Sequence, residues 1–189
     1  IQGVSPVVKG YALLSVRGDD LKRGVEILGV DPVLHSCATN FARTLYYRAD
    51  EPARAFQPPY DPNALGCVLG IDMALMRNSH GQYIQDSAPS QVAITLTAFP
   101  LTAKGAPAKA GAGLVNIQRF FYSDHAHTGI AHVDGSLVYI PLEQAQWLCM
   151  GGSLKRVNAI HVKFRSGTDL ARGRERVAQL WGRFKAEMA

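Results

Sequence analysis

An α+β domain, built on mixed sheets with helices on one face, is what this 189-residue sequence predicts, and three observations carry that expectation. Segments with a period of two and segments with a period near 3.6 follow one another as strand, helix and strand again in several places. Hydrophobic residues make up 47% of the chain and charged residues 19%, so there is enough apolar material for a real core. The glycines nowhere form G-x-G-x-x-G or a P-loop, which argues against a doubly wound nucleotide-binding sheet.

In chain order, residues 11–17 alternate as a strand, Gly18-Asp19-Asp20 is a turn, and residues 25–30 form a second apolar run, which together predict an opening hairpin. Pro32 lacks an amide proton and disfavours helix at Asp31, so the second strand stops there. Residues 35–46 read as one short helix with Ala38, Phe41 and Leu45 on its buried side. Four prolines between residues 49 and 62 make an irregular loop. Residues 66–71 form a strand, after which Asp72 caps a helix over 72–77. Residues 91–98 alternate cleanly, with Val92, Ile94 and Leu96 on one face and Gln91, Thr95 and Thr97 on the other. Residues 101–113, rich in Gly, Ala, Pro and Lys, read as an exposed flexible excursion.

Residues 115–122 and 135–140 read as two strands joined by a polar loop that carries His125, His127, Gly129 and His132. Pro141 in the first position and Glu143 in the first turn start a helix that Gly151-Gly152 ends. In residues 158–165, Ile160, Val162 and Phe164 point inward while His161, Lys163 and Arg165 point outward. Thr168 or Asp169 caps a last helix whose stripe of Leu170, Val177, Leu180, Trp181, Phe184 and Met188 should pack on the core.

Apolar runs are all far shorter than the ~20 residues that cross a bilayer. No leader peptide opens the sequence, and Ile1-Gln2-Gly3-Val4 reads as a start inside a longer protein. Cys37, Cys67 and Cys149 are too few and too far apart for a disulfide framework or a close-paired zinc motif; one bridge is open to them, and small buried hydrophobes are the simpler reading. Charge is uneven. Residues 155–189 hold nine Lys/Arg against three Asp/Glu, whereas the first 154 hold eleven against twelve. Five of the nine, Arg172, Arg174, Arg176, Arg183 and Lys185, lie on one helix without interleaved aromatics, so a solvated face, or one near anionic lipid, fits better than nucleic acid.

One constellation invites chemistry. His125-x-His127 with His132, Asp124 and Asp134 has metal-ligand spacing, and His125, His127 and His132 are the candidate ligands. The opposing reading is a polar surface loop in which the histidines are dispensable for folding. There is no nucleophile elbow, no cysteine with an activating context, and no paired acid and base, so the chain is not read as an enzyme and no cofactor is implied.

Three phrases, Leu28-Gly29-Val30-Asp31-Pro32, Val68-Leu69-Gly70-Ile71-Asp72-Met73-Ala74, and Gln118-Arg119-Phe120 through Asp134 to Val138-Tyr139-Ile140-Pro141-Leu142, resemble in order and spacing the extracytoplasmic core domain of ABC-transporter permeases of the macrolide-exporter, lipoprotein-releasing and cell-division type. That resemblance implies one periplasmic core domain over residues 1–189, with a porter-like α/β lobe and a smaller β-rich lobe within about residues 50–125. It further implies insertion between two transmembrane helices, a permease dimer, a separate or fused cytoplasmic ATPase reached through those helices, and a periplasmic protein or lipoprotein as partner. Asp134 stands where the family has an Asp before its "vyvpl" strand, which implies a loop-pinning role. The family's usual final strand is not seen. The alternative is a stand-alone periplasmic binding or interaction domain, with a metal-dependent enzyme behind it.

Overall fold

Residues with strong alternation at the start of the chain pair as expected: β1 (Gly3–Val16) runs antiparallel to β2 (Lys22–Val30), with Val7 opposite Val30 and Ser15 opposite Lys22. The computed structural model describes residues 1–16, 22–100, 115–151 and 155–188, so the turn at Gly18-Asp19-Asp20 and the excursion over 101–113 lie outside the described residues. Asp31 then caps α1 (Pro32–Ala38), its carboxylate accepting the Val33 and Leu34 amides at 3.0 and 2.8 Å. The single helix expected over 35–46 is two, because the Thr39 hydroxyl donates to His35 O and accepts from the Phe41 amide, which ends α1 before α2 (Phe41–Thr44) begins. Ala38, Phe41 and Leu45 are nonetheless buried, as the pattern requires.

β3 (Gly66–Gly70) leads into α3 (Ile71–Ala74), whose N-cap is Gly70 and not Asp72 and which ends before Met76–Arg77 turn to strand. A small hairpin of β4 (Met76–Arg77) and β5 (Tyr83–Ile84) follows, then β6 (Ala93–Ala98) and β7 (Asn116–Ala126). α4 (Ala131–Ser136), β8 (Leu137–Pro141), α5 (Leu142–Met150), β9 (Ala159–Lys163) and α6 (Leu170–Met188) complete the chain.

Seven strands share one mixed sheet in the order β2-β8-β3-β7-β6-β1-β9, and the further pairing of β2 with β1 closes six of them into a barrel-like ring. β2 with β8 and β3 with β7 are parallel, and the other pairs are antiparallel. β1 makes the closure possible by using both edges: one carries β2, the other carries β9 at Gly3–Val7 and β6 at Leu13–Val16. Between those two partners Asn158 fills the gap, its side chain accepting from Lys9 N and donating to Lys9 O, both at 2.8 Å.

Side chains alternate between two cores. Val25, Ile27, Leu69, Phe120, Val138 and Ile140 meet Ala145 and Leu148 of α5, while Leu28, Val30, Val68, Leu137 and Tyr139 meet Phe41 and Leu45. The α+β class and the mixed sheet are therefore as expected, but helices cover both sides. The reason is that β3 and β8 are apolar without interruption and buried on both faces. Gly29 lets α5 approach β2, since a Cβ there would collide with the Ala145 methyl.

The C-terminal limb departs from expectation. In β9, Ile160 is exposed while Ala159 and His161 turn toward the core, because register with β1 sets Ala159 opposite Val7 and His161 opposite Ser5, both buried residues. α6 is capped by Asp169, which accepts the Ala171 and Arg172 amides, but its apolar stripe does not pack on the core: Trp181 is 49% and Phe184 50% exposed. Both faces of the closed sheet already carry other helices. Among the described residues no helix is long and apolar enough to cross a membrane.

Candidate functional site

At its C-terminal end β7 stops alternating: Tyr122 through Ala126 are all buried, beside a register irregularity in β3 between Cys67 and Val68. Each polar side chain there has a task. The Ser123 hydroxyl lies 2.7 Å from Ala55 O and 2.8 Å from Cys67 O. The Asp124 carboxylate accepts the backbone amides of Tyr46, Tyr47, Arg48 and His125 at distances from 2.7 to 3.2 Å, which ties the 46–48 segment to β7. Burial raises its pKa, while those amides favour the ionised form.

His125 is 1% exposed. Its Nδ1 shares a 2.6 Å hydrogen bond with the Tyr122 hydroxyl, Tyr46 stacks on its ring at 4.8 Å, and Tyr47 meets it edge-on at 5.9 Å. Nε2 is buried without a hydrogen-bond partner. Burial first, and the nearby His127 second, lower its pKa from the ordinary 6.5 to about 4, so the imidazole is neutral at pH 7. His125 therefore lies not in a polar surface loop but in β7, which continues to Ala126 and carries it into the core.

Beside this cluster is a cleft of about 500 Å³ lined by Tyr47, Arg48, Pro59, Tyr60, Gln91 and Tyr122. The Arg48 Nε is buried and unpartnered, with Nη1 4.0 Å from Glu51. Gln91 holds a left-handed backbone, φ 61°, a conformation that non-glycine residues adopt at a cost. Aromatic walls with one half-buried cation suit a flat or apolar group that carries an acceptor. Among the described residues that line it, no nucleophile and base face each other.

The other two histidine candidates lie apart. His127 follows β7, its Nε2 3.9 Å from Asp134, and its ring 5.9 Å from Tyr83. His132 pairs with Glu26 at 3.3 Å. Among the described residues no group of three or more His, Cys, Asp or Glu is placed to hold a metal ion. Asp134 is buried and accepts from Thr128 N and Oγ1 at 2.8 Å and from Gly129 N at 3.0 Å, so it pins the 127–130 turn. Nearby, Asp72 pairs with Arg77 at 2.7 Å and accepts from the Tyr83 hydroxyl at 2.8 Å, and Arg77 foremost holds its carboxyl below the usual range.

One pairing went unread in the sequence because its members are thirty residues apart: Ser5 Oγ and His35 Nδ1 lie 3.1 Å from each other. Phe41, Tyr139 and His161 surround the imidazole, and burial lowers its pKa to about 4. Ser5 is 0% exposed and no substrate reaches it. The cysteines are free; Cys67 and Cys149 are buried, with burial pushing the Cys149 thiol up to about 12, whereas Cys37 is exposed. No protein-family model matches this chain, and no curated protein matches it.

Proposed function

We propose that this chain is an extracytoplasmic domain of an ABC-transporter permease, which couples ATP-driven motion of transmembrane helices to work on a substrate or partner outside the cytoplasm. One observation carries the reading. The three phrases that bear the resemblance, far apart in sequence, occupy the adjacent strands β2-β8-β3-β7, and each runs from a strand into a helix: β2 into α1, β3 into α3, β8 into α5. A chance match of short phrases has no reason to converge on one patch of sheet. In support, β1 and β9 lie antiparallel with Gly3 opposite Lys163, so the chain enters and leaves the sheet at one end, as insertion between two membrane helices needs.

On this reading the nucleotide is bound by another chain or domain in the cytoplasm, two permeases act together, and a periplasmic protein or lipoprotein is the partner. The family's porter-like and β-rich lobes are part of the proposal; between residues 50 and 125, β3, β6 and β7 share their sheet with the rest, while β4 and β5 form a separate two-stranded sheet. The domain is not catalytic. Cys37 gives the test, because it is exposed while Cys67 and Cys149 are buried. In intact spheroplasts making the full-length protein, a membrane-impermeant maleimide added outside should label it, and Cys37→Ser should abolish the label. Labelling only after lysis would overturn the proposal.

A second reading, a stand-alone binding or interaction domain, is favoured by the Tyr47/Arg48/Tyr60 cleft. It predicts the same labelling but no change of labelling rate when nucleotide is trapped on the ATPase; the permease reading predicts a change.

A further inference from the structure

α6 is the least explained element of the molecule, and the geometry points to one occupant for it: we propose that α6 is an interfacial helix whose exposed Leu180, Trp181 and Phe184 insert into an anionic lipid surface. At 100° per residue the stripe of Leu170, Gly173, Val177, Leu180, Trp181 and Phe184 occupies one side of the helix. Leu170 at its start is 69% exposed, and its middle is partly covered, since Phe164 lies against Gly173 and Val177 is half-buried. Its C-terminal half is open, with Leu180 43%, Trp181 49% and Phe184 50% exposed.

The charges choose the partner. Within α6, Arg172, Arg174, Arg176, Arg183 and Lys185 stand against Glu175 and Glu187. On the same helical wheel, Arg174 and Lys185 flank the stripe on one side, where aliphatic stems can lie along the apolar strip while the cations reach outward, and Glu187 with Arg176 flanks it on the other. Lys185 Nζ sits 5.9 Å over the Trp181 ring, and that ring stacks on Phe184 at 5.5 Å. An apolar strip with an indole in it, a cationic flank and five cations against two carboxylates along the helix matches a bilayer interface with negative headgroups. A second copy of the helix fits worse, because pairing two such stripes sets cation against cation. The inference stands on α6 itself and goes beyond the permease reading, which does not require it.

The test uses the 189-residue chain and two kinds of vesicle, one of phosphatidylcholine alone and one with equal parts phosphatidylglycerol. The chain should cosediment with the anionic vesicles, release as salt rises, and leave the neutral vesicles in the supernatant. In a Trp147→Phe background, Trp181 emission should shift to the blue on binding. The double variant Trp181→Ala/Phe184→Ala, shown folded by its unchanged far-ultraviolet dichroism and denaturant unfolding midpoint, should bind roughly a hundredfold or more weakly, the factor expected from losing two buried aromatic side chains. Undiminished binding by that variant would mean adsorption through another surface and overturn the proposal. So would failure of the folded parent to bind anionic vesicles, or dimerisation abolished by the same two substitutions, which would give the stripe to a second copy.

Discussion

β8, apolar throughout, and α6, apolar along one stripe, meet opposite fates. β8 is buried from Leu137 to Ile140, with β2 and β3 hydrogen-bonded on its two edges and a core on each face. α6 carries an equally regular stripe and leaves most of it in solvent. Periodicity therefore identifies which side of an element is apolar, while topology decides whether anything lies opposite. The closed sheet uses its two faces for α5 and for α1 with α2, and the limb that follows β9 finds neither free.

That contrast can be broken by measurement, starting where the largest effect is expected. Phe120 is fully buried within the ring, so Phe120→Ala should cost about 3–5 kcal/mol in denaturant unfolding. A loss below 1 kcal/mol, on the order of a surface substitution, would show the ring is not a packed core. Asp124→Ala removes the acceptor of four amides and should cost about 3 kcal/mol. Asp124→Asn keeps one carbonyl oxygen and should recover part of that; equal losses for both would assign the effect to charge and not to hydrogen bonding.

Acid gives a smaller effect at each step. His35 and His125 bind a proton less readily folded than unfolded, with values of about 4 against 6.5. Their contribution is complete above about pH 6.5 and is lost as pH falls toward about 4, at up to about 1.4 kcal/mol per pH unit for each. Replacing His125 with Phe should flatten the stability profile in that window, and an unaltered slope would place its titration elsewhere. The smallest effect belongs to the limb. Trp181→Ala should change stability by no more than about 0.5 kcal/mol, and a drop as large as that of Phe120→Ala would mean that α6 packs after all.

Much of the architecture was legible because it is local. The hairpin of β1 and β2, the halt at Asp31-Pro32, the alternation at Ile94 and Leu96, and the helix after Pro141 all follow from side-chain spacing and from proline's missing amide. What was illegible depends on pairing at a distance. Whether His161 or Ile160 faces inward is settled by its register with β1, about 155 residues away in sequence. His125 read as a loop residue because the polar run Ser123-Asp124-His125 looks solvent-exposed. The burial of that run is made tolerable by Tyr122 close by and by Ala55 O and the amides of residues 46–48, and these last lie about 70 residues or more away, outside any window of sequence. The cleft beside Arg48 is likewise assembled from four separate segments.

The double use of β1 sets how the domain would yield under tension. Gly3 and Lys163 face each other at one end of an antiparallel pair, so pulling the chain apart at those two points loads the β1–β9 hydrogen bonds one after another, like a zipper. Pulling β1 along its own axis instead loads its nine register pairs with β2 and its contacts with β6 together, in shear. The same strand is thus weak in one direction and strong in the other: β9 and α6 would peel away under a modest force while the six-stranded ring stays shut.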